Sequence, residues 1–104
     1  MAVGLFMVRA TIAKEHEEAF NRWYNHEHLP QVLRYNGAVS GRRYRRVSGE
    51  DKYEYMALYE FSSEQVLQEF LRSDALKALR AEYDQHFGSV SERAGSGWLQ
   101  VFPS

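Results

Sequence analysis

Trp23-Tyr24-Asn25-His26-Glu27-His28-Leu29-Pro30 sets two aromatic rings, two imidazoles, an amide and a carboxylate immediately ahead of a proline. Proline has no backbone N–H and disfavours helical geometry in the residue before it. A helix entering this string is therefore expected to break or kink near His28 and to leave titratable groups at a helix end, facing a cavity. Imidazole is the one side chain whose ordinary pKa lies near neutrality. Proton-transfer chemistry in this chain is expected here.

Upstream, Val3 to Ile12 is rich in large apolar residues and reads as a buried strand. Lys14 to Asn25 reads as a helix, with Ala19, Phe20 and Trp23 on one face and Glu15, Glu17, Glu18 and Arg22 on the others. Downstream, Pro30 suits the first turn of a short helical piece to Tyr35, and Asn36-Gly37 signals a turn. Val39 to Val47 and Tyr53 to Phe61 form a predicted antiparallel hairpin across Ser48-Gly49-Glu50-Asp51-Lys52. Ser62 and Gln65 are spaced as a capping box before a helix burying Val66, Leu67, Phe70 and Leu71. Ser73-Asp74 interrupts that helix. A second piece places Leu76, Leu79, Tyr83 and Phe87 on one face, and Gly88 ends it. Ser89 to Gly97 reads as a polar loop and Trp98 to Phe102 as a last short strand. The order βαββαβ is the ferredoxin-like arrangement: an α+β domain over residues 1–104, a four-stranded antiparallel sheet with two helices on one face.

The chain has 104 residues and a net charge of −1, so no global field favours nucleic acid or an anionic membrane. Arg42, Arg43, Arg45 and Arg46 make one basic strand, but Glu50, Asp51, Glu54 and Glu60 lie on or beside the next, and cross-strand pairing accounts for the run. Without cysteine there is no disulfide framework or thiolate site. No apolar run approaches the roughly 20 residues that span a bilayer. The first eight residues lack a basic segment, so no signal peptide is expected and a cytoplasmic location is. No glycine-rich phosphate loop or serine elbow is present, so no nucleotide cofactor is expected. His26 and His28, two apart, do not share a helical face, and no metal is expected.

Aromatic content is 14%, with seven tyrosines. Taken by alternate residues, one predicted sheet face carries Leu5, Met7, Arg9, Ser40, Arg42, Tyr44, Tyr55, Ala57, Tyr59, Trp98, Gln100 and Phe102. The other carries Phe6, Val8, Ala10, Val39, Gly41, Arg43, Met56, Leu58, Glu60, Leu99 and Val101. A slip of one residue exchanges the sets, and neither resembles a solvated surface. A sheet apolar on both sides is expected to pair with a copy of itself as a homodimer, with a cavity between sheet and helix end.

The run Phe20 to Pro30, then Gly37, Gly41-Arg42-Arg43-Tyr44 and Ala57-Leu58-Tyr59-Glu60-Phe61, resembles the EthD-like branch of the dimeric α/β-barrel superfamily. Its most specific part is Trp-Tyr-x-x-x-His-Leu-Pro. The resemblance covers nearly the whole chain in element order and implies a ferredoxin-like protomer and a face-to-face dimer. Where the family usually has Pro-Gly and an aromatic, this chain has Asn36-Gly37-Ala38, which implies a wider pocket edge. Members include small isomerases, cyclases and monooxygenases that use neither metal nor flavin.

By that match His28 lines the pocket, where a neutral imidazole takes a proton from a phenol, an enol or a carbon beside a carbonyl. The competing reading is a histidine held by free helix-end carbonyls. Tyr24, four residues earlier, shares its face if the helix persists, and is the second catalytic candidate or a packed tyrosine. Asn25, His26, Arg42, Tyr44, Tyr55, Tyr59 and Trp98 are the substrate-binding candidates, with Tyr55, Tyr59 and Trp98 equally suited to a dimer interface. Three functions stay open: a cofactor-independent enzyme acting on an apolar, aromatic or polyketide-like molecule, a non-catalytic metabolite-binding or accessory dimer for an oxygenase, and a purely structural dimer.

Overall fold

A computed structural model describes residues 3–103. Strand β1 (Gly4–Ile12) leads through a 3-10 turn (Lys14–His16) into helix α1 (Glu17–Trp23), a π-helical turn (Tyr24–His28) and helix α2 (Leu29–Val32). Strands β2 (Ala38–Arg45) and β3 (Tyr55–Phe61) follow, then helices α3 (Glu64–Leu71) and α4 (Asp74–Phe87) and strand β4 (Ser91–Leu99). The sheet order is β2-β3-β1-β4 and every pairing is antiparallel. This is the ferredoxin-like α+β fold. Among the described residues no helix is long and apolar enough to cross a membrane.

The helix does not break at His28, contrary to the expectation from Pro30. Trp23, Tyr24, His28 and Leu29 all keep right-handed helical dihedrals. The chain instead widens by one residue: the Leu29 N–H donates to the Tyr24 carbonyl, five residues back. Such π turns are rare insertions within α-helices, found often at functional sites. Pro30 then falls in the first turn of α2, where its missing donor costs little.

The register settles which face is which. Phe6 pairs with Tyr59, Val8 with Ala57 and Ala10 with Tyr55, so Phe6, Val8, Ala10, Tyr55, Ala57, Tyr59 and Phe61 face the helices. Leu5, Met7, Arg9, Met56, Leu58, Glu60, Arg42, Tyr44 and Trp98 face outward. The predicted sets are right for β1 and most of β2 and one residue out of phase for β3. The reason lies in the hairpin: the strands stop at Arg45 and Tyr55, leaving a longer loop than the turn residues suggest, so no tight turn sets the phase. Val39 sits in a bulge between Ala38 and Ser40.

Two further boundaries differ. Ser63, not Ser62, caps α3 and accepts from the Val66 N–H at 3.1 Å. Ser62 is spent earlier, its N–H donating to the Gly37 carbonyl at 3.0 Å, and Gln65 donates forward to Glu69. Residues read as a polar loop are most of β4, which pairs along all of β1 from Gly4↔Leu99 to Ile12↔Ser91. As an edge strand with little to bury, β4 tolerates Gly95, Gly97 and alternating charge.

The core is aromatic. Phe20, Phe61 and Phe70 are fully buried and Tyr59 is 1% exposed. Phe20 meets Tyr24, Tyr83 and Phe87 edge-on at 5.2–6.0 Å, the geometry that aromatic quadrupoles favour. It locks α1 to α4.

Candidate active site

Tyr24, His28 and Val32 recur every four residues, and all three are buried. The composite helix thus turns one stripe toward the sheet, where it meets a cavity of about 50 Å³. Its floor is Phe6 from β1 and Tyr59 from β3, their rings 6.1 Å apart and 24° from parallel. Glycines on the flanking strands make room for these rings. A Cβ on Gly41 would stand 3.0 Å from the Tyr59 ring, and one on Gly95 would stand 3.2 Å from Phe6. Leu76, Leu79 and Tyr83 of α4 close the opposite side, with Arg80 and Arg93 also lining the cavity.

His28 is 8% exposed and, tyrosine and tryptophan apart, is the one polar residue buried among the described residues. Its ring stacks on Trp23 at 4.7 Å and meets Tyr24 edge-on at 4.9 Å. Among the described residues its Nδ1 has no hydrogen-bond partner, and the Tyr59 hydroxyl, beside the Tyr24 phenol, makes no bond of normal geometry. Burial, then the positive charges of Arg93 and Arg43, pull the His28 pKa down to about 4, so the imidazole is neutral near pH 7. Burial pushes the Tyr24 phenol up to about 12 and Tyr59 well above its ordinary value. Both remain protonated and can donate.

Two arginines frame this pair without entering the core. Arg43 lies 4.4 Å from the Tyr24 ring centre and donates to Asn25 Oδ1 at 2.8 Å and Asn21 Oδ1 at 2.9 Å. Arg93 lies 4.1 Å from the Tyr83 ring centre and donates to Asp84 at 2.6 Å. Tyr83 is fixed in turn by a 2.5 Å hydrogen bond shared with Ser91.

Of the residues singled out in the sequence, the structure gathers Tyr24, His28 and Tyr59 around one cavity. Asn25 and His26 are exposed, turned away from it, and Asn25 is engaged by Arg43. Tyr55 faces the helices but is tied to Asn21 at 3.1 Å and to Glu17. Arg42, Tyr44 and Trp98 lie on the outer sheet face, where β-pleat alternation puts them. Sequence reading missed Arg93, Arg80 and Tyr83. Arg93 was hidden in the supposed loop, while the spacing of Leu76, Leu79 and Tyr83 signalled only a buried helix face. Among the described residues no group of three or more His, Asp or Glu could hold a metal ion.

No curated protein matches this chain. Solved structures do. An EthD family protein from Bacillus halodurans is 23% identical, with 92% of this chain and 97% of that chain covered and a TM-score of 0.65. HapK from Hahella chejuensis is 11% identical over 100% of this chain and 96% of its own, at a TM-score of 0.67. A variant of SnoaB, a cofactor-independent oxygenase from Streptomyces nogalater, is 19% identical over 98% of each chain, at 0.56. At these identities the likeness is one of fold. A family model matches residues 3–92, which takes in β1, β2, β3 and the helices and stops at the start of β4, and the chain therefore belongs to the family described as a domain of unknown function, DUF4286.

Proposed function

We propose that this protein is a cofactor-independent small-molecule enzyme in which His28 moves a proton on an enolisable or phenolic ligand bound between sheet and helices. One observation carries the reading: His28 Nδ1 is buried without a protein partner, and His28 and Tyr59 line the same cavity. An orphaned buried polar group is costly, and a ligand offering a proton to the imidazole and an oxygen to Tyr59 would satisfy it. The imidazole takes the proton from the substrate's C–H or O–H bond, and the electron pair moves onto the substrate oxygen. Tyr59 donates to that oxygen. The arginine field that disfavours imidazolium in the free protein favours the anion so formed, and the new charges compensate as a pair. Returning the proton to a different atom completes an isomerisation, while a cyclase, lyase or oxygenase step would begin from the same anion. Likeness in fold to a cofactor-independent oxygenase supports this class of chemistry.

Proton exchange tests the reading without knowledge of the product. Incubated in D2O with 2-tetralone, an enolisable aromatic ketone, the protein should accelerate deuterium uptake at the carbon beside the carbonyl, and His28→Ala should abolish the acceleration. Absence of any acceleration by the unaltered protein would favour a second reading, a non-catalytic metabolite-binding dimer. A pKa near 4, which makes the free imidazole a weak base, speaks for that alternative.

The same proposal includes a homodimer. The outer sheet face presents Leu5, Met7, Met56 and Leu58, only partly buried, together with Tyr44 and Trp98, 44% and 53% exposed. A second copy packed face to face would bury them and give the sheet its missing layer.

A further inference from the structure

The charge around the cavity is one-sided. Arg80 and Arg93 line it, and no carboxylate does. Arg80 is exposed, and among the described residues it has no ion-pair partner. Arg93 is held from outside by Asp84, whose side chain is 59% exposed. Among the described residues that contact, through Nη1, is the guanidinium's only hydrogen bond, whereas a guanidinium carries five N–H donors. Its guanidinium carbon stands 4.1 Å from the centre of the Tyr83 ring, a cation–π contact that restrains the fork. Farther in, the surface is the aromatic floor of Phe6 and Tyr59.

We infer that the cavity takes a small planar organic anion of the carboxylate class, its charged group held by Arg80 and Arg93 and its unsaturated body laid against Phe6 and Tyr59. The inference rests on the cavity's being the ligand site proposed above and adds the chemical class of what enters it. Planar carboxylates match the geometry of a guanidinium fork, two N–H donors to two oxygens. A flat conjugated body suits a narrow slot floored by stacked rings. A neutral ligand of the same shape would leave the unpaired positive charge uncompensated.

Matched probes test the charge separately from the site. Benzoate and benzamide, and sorbate and sorbamide, are titrated into the protein while the His28 imidazole signals are followed by NMR. The acids should move those signals and bind at least about tenfold more tightly than their amides, since a charge-assisted pair exceeds a neutral one by that margin or more. Arg80→Gln, at an exposed position, should weaken the acids about tenfold and leave the amides unchanged. Arg93→Gln should do the same, and Asp84→Asn, which frees Arg93, should hold or raise acid affinity. Amides that move the His28 signals as readily as the acids would overturn the anionic class and leave the ligand site standing. Acids that bind without moving them would overturn the site itself, and with it this inference. Failure of all four probes to bind would overturn the carboxylate class, leaving deuterium uptake from neutral 2-tetralone to judge the site.

Discussion

His28 lies against Trp23 with ring centres 4.7 Å apart and planes 21° from parallel. The site, rather than this contact, favours an uncharged imidazole, because protonation would place a cation where the ring is only 8% exposed and within the field of Arg93 and Arg43. In the unfolded chain the same ring titrates near its ordinary 6.5. Between pH 6.5 and about 4 the unfolded state therefore binds the proton first, and stability falls as pH falls through that window, levelling off below it. The full effect is about 3 kcal/mol at most. Denaturant unfolding across this range should show the decline in the unaltered protein and a much flatter profile in His28→Gln.

Tyr59→Phe separates function from packing. The hydroxyl is buried beside the Tyr24 phenol without a hydrogen bond of normal geometry, so removing it sheds a desolvation penalty against one weak contact and should change stability by no more than about 1 kcal/mol. If Tyr59 donates to the substrate oxygen, deuterium uptake should nevertheless fall by about tenfold or more. A loss of stability without a loss of exchange would return Tyr59 to the core.

Gly95→Val should close the cavity from the side of β4. Even a single Cβ there stands 3.2 Å from the Phe6 ring, and a branched side chain drives further into the floor. The expected outcome is loss of probe binding with a stability cost of about 1–3 kcal/mol from overpacking, read by NMR titration and thermal unfolding.

Leu58→Glu tests the second copy. Leu58 stands opposite Met7 on β1 and Arg42 on β2, in the middle of the outer face. The new carboxylate can pair with Arg42 across the strands and should spare the protomer. Buried at a face-to-face contact, it should shift the protein from dimer to monomer in analytical ultracentrifugation.

Much of this architecture could be read in the residues, and the gaps have physical causes. The strands β1, β2 and β3 and the helices on one face announce themselves through apolar runs and turn residues. β4 does not, because an edge strand under glycine-sized ceilings needs neither bulk nor alternation. The phase of β3 was lost because a long loop, unlike a tight turn, transmits no register. At the site, Tyr24 and His28 are legible as a pair four residues apart, and Tyr59 as one of several strand aromatics. Arg80 and Arg93 are not legible, since only the fold brings a helix and a distant edge strand to one opening. The exposed Asn25 and His26 show the converse: neighbours in sequence to His28, they are turned outward by the helix itself.

The widened turn at Tyr24–His28 makes the orientation of the imidazole depend on chain length as well as on residue type. Deleting a single residue between Asn25 and Glu27 would let the backbone relax to ordinary winding and rotate α1 relative to α2 by roughly 100°. Homologues trimmed by that one position could preserve every strand and helix and yet offer the hollow a different side chain.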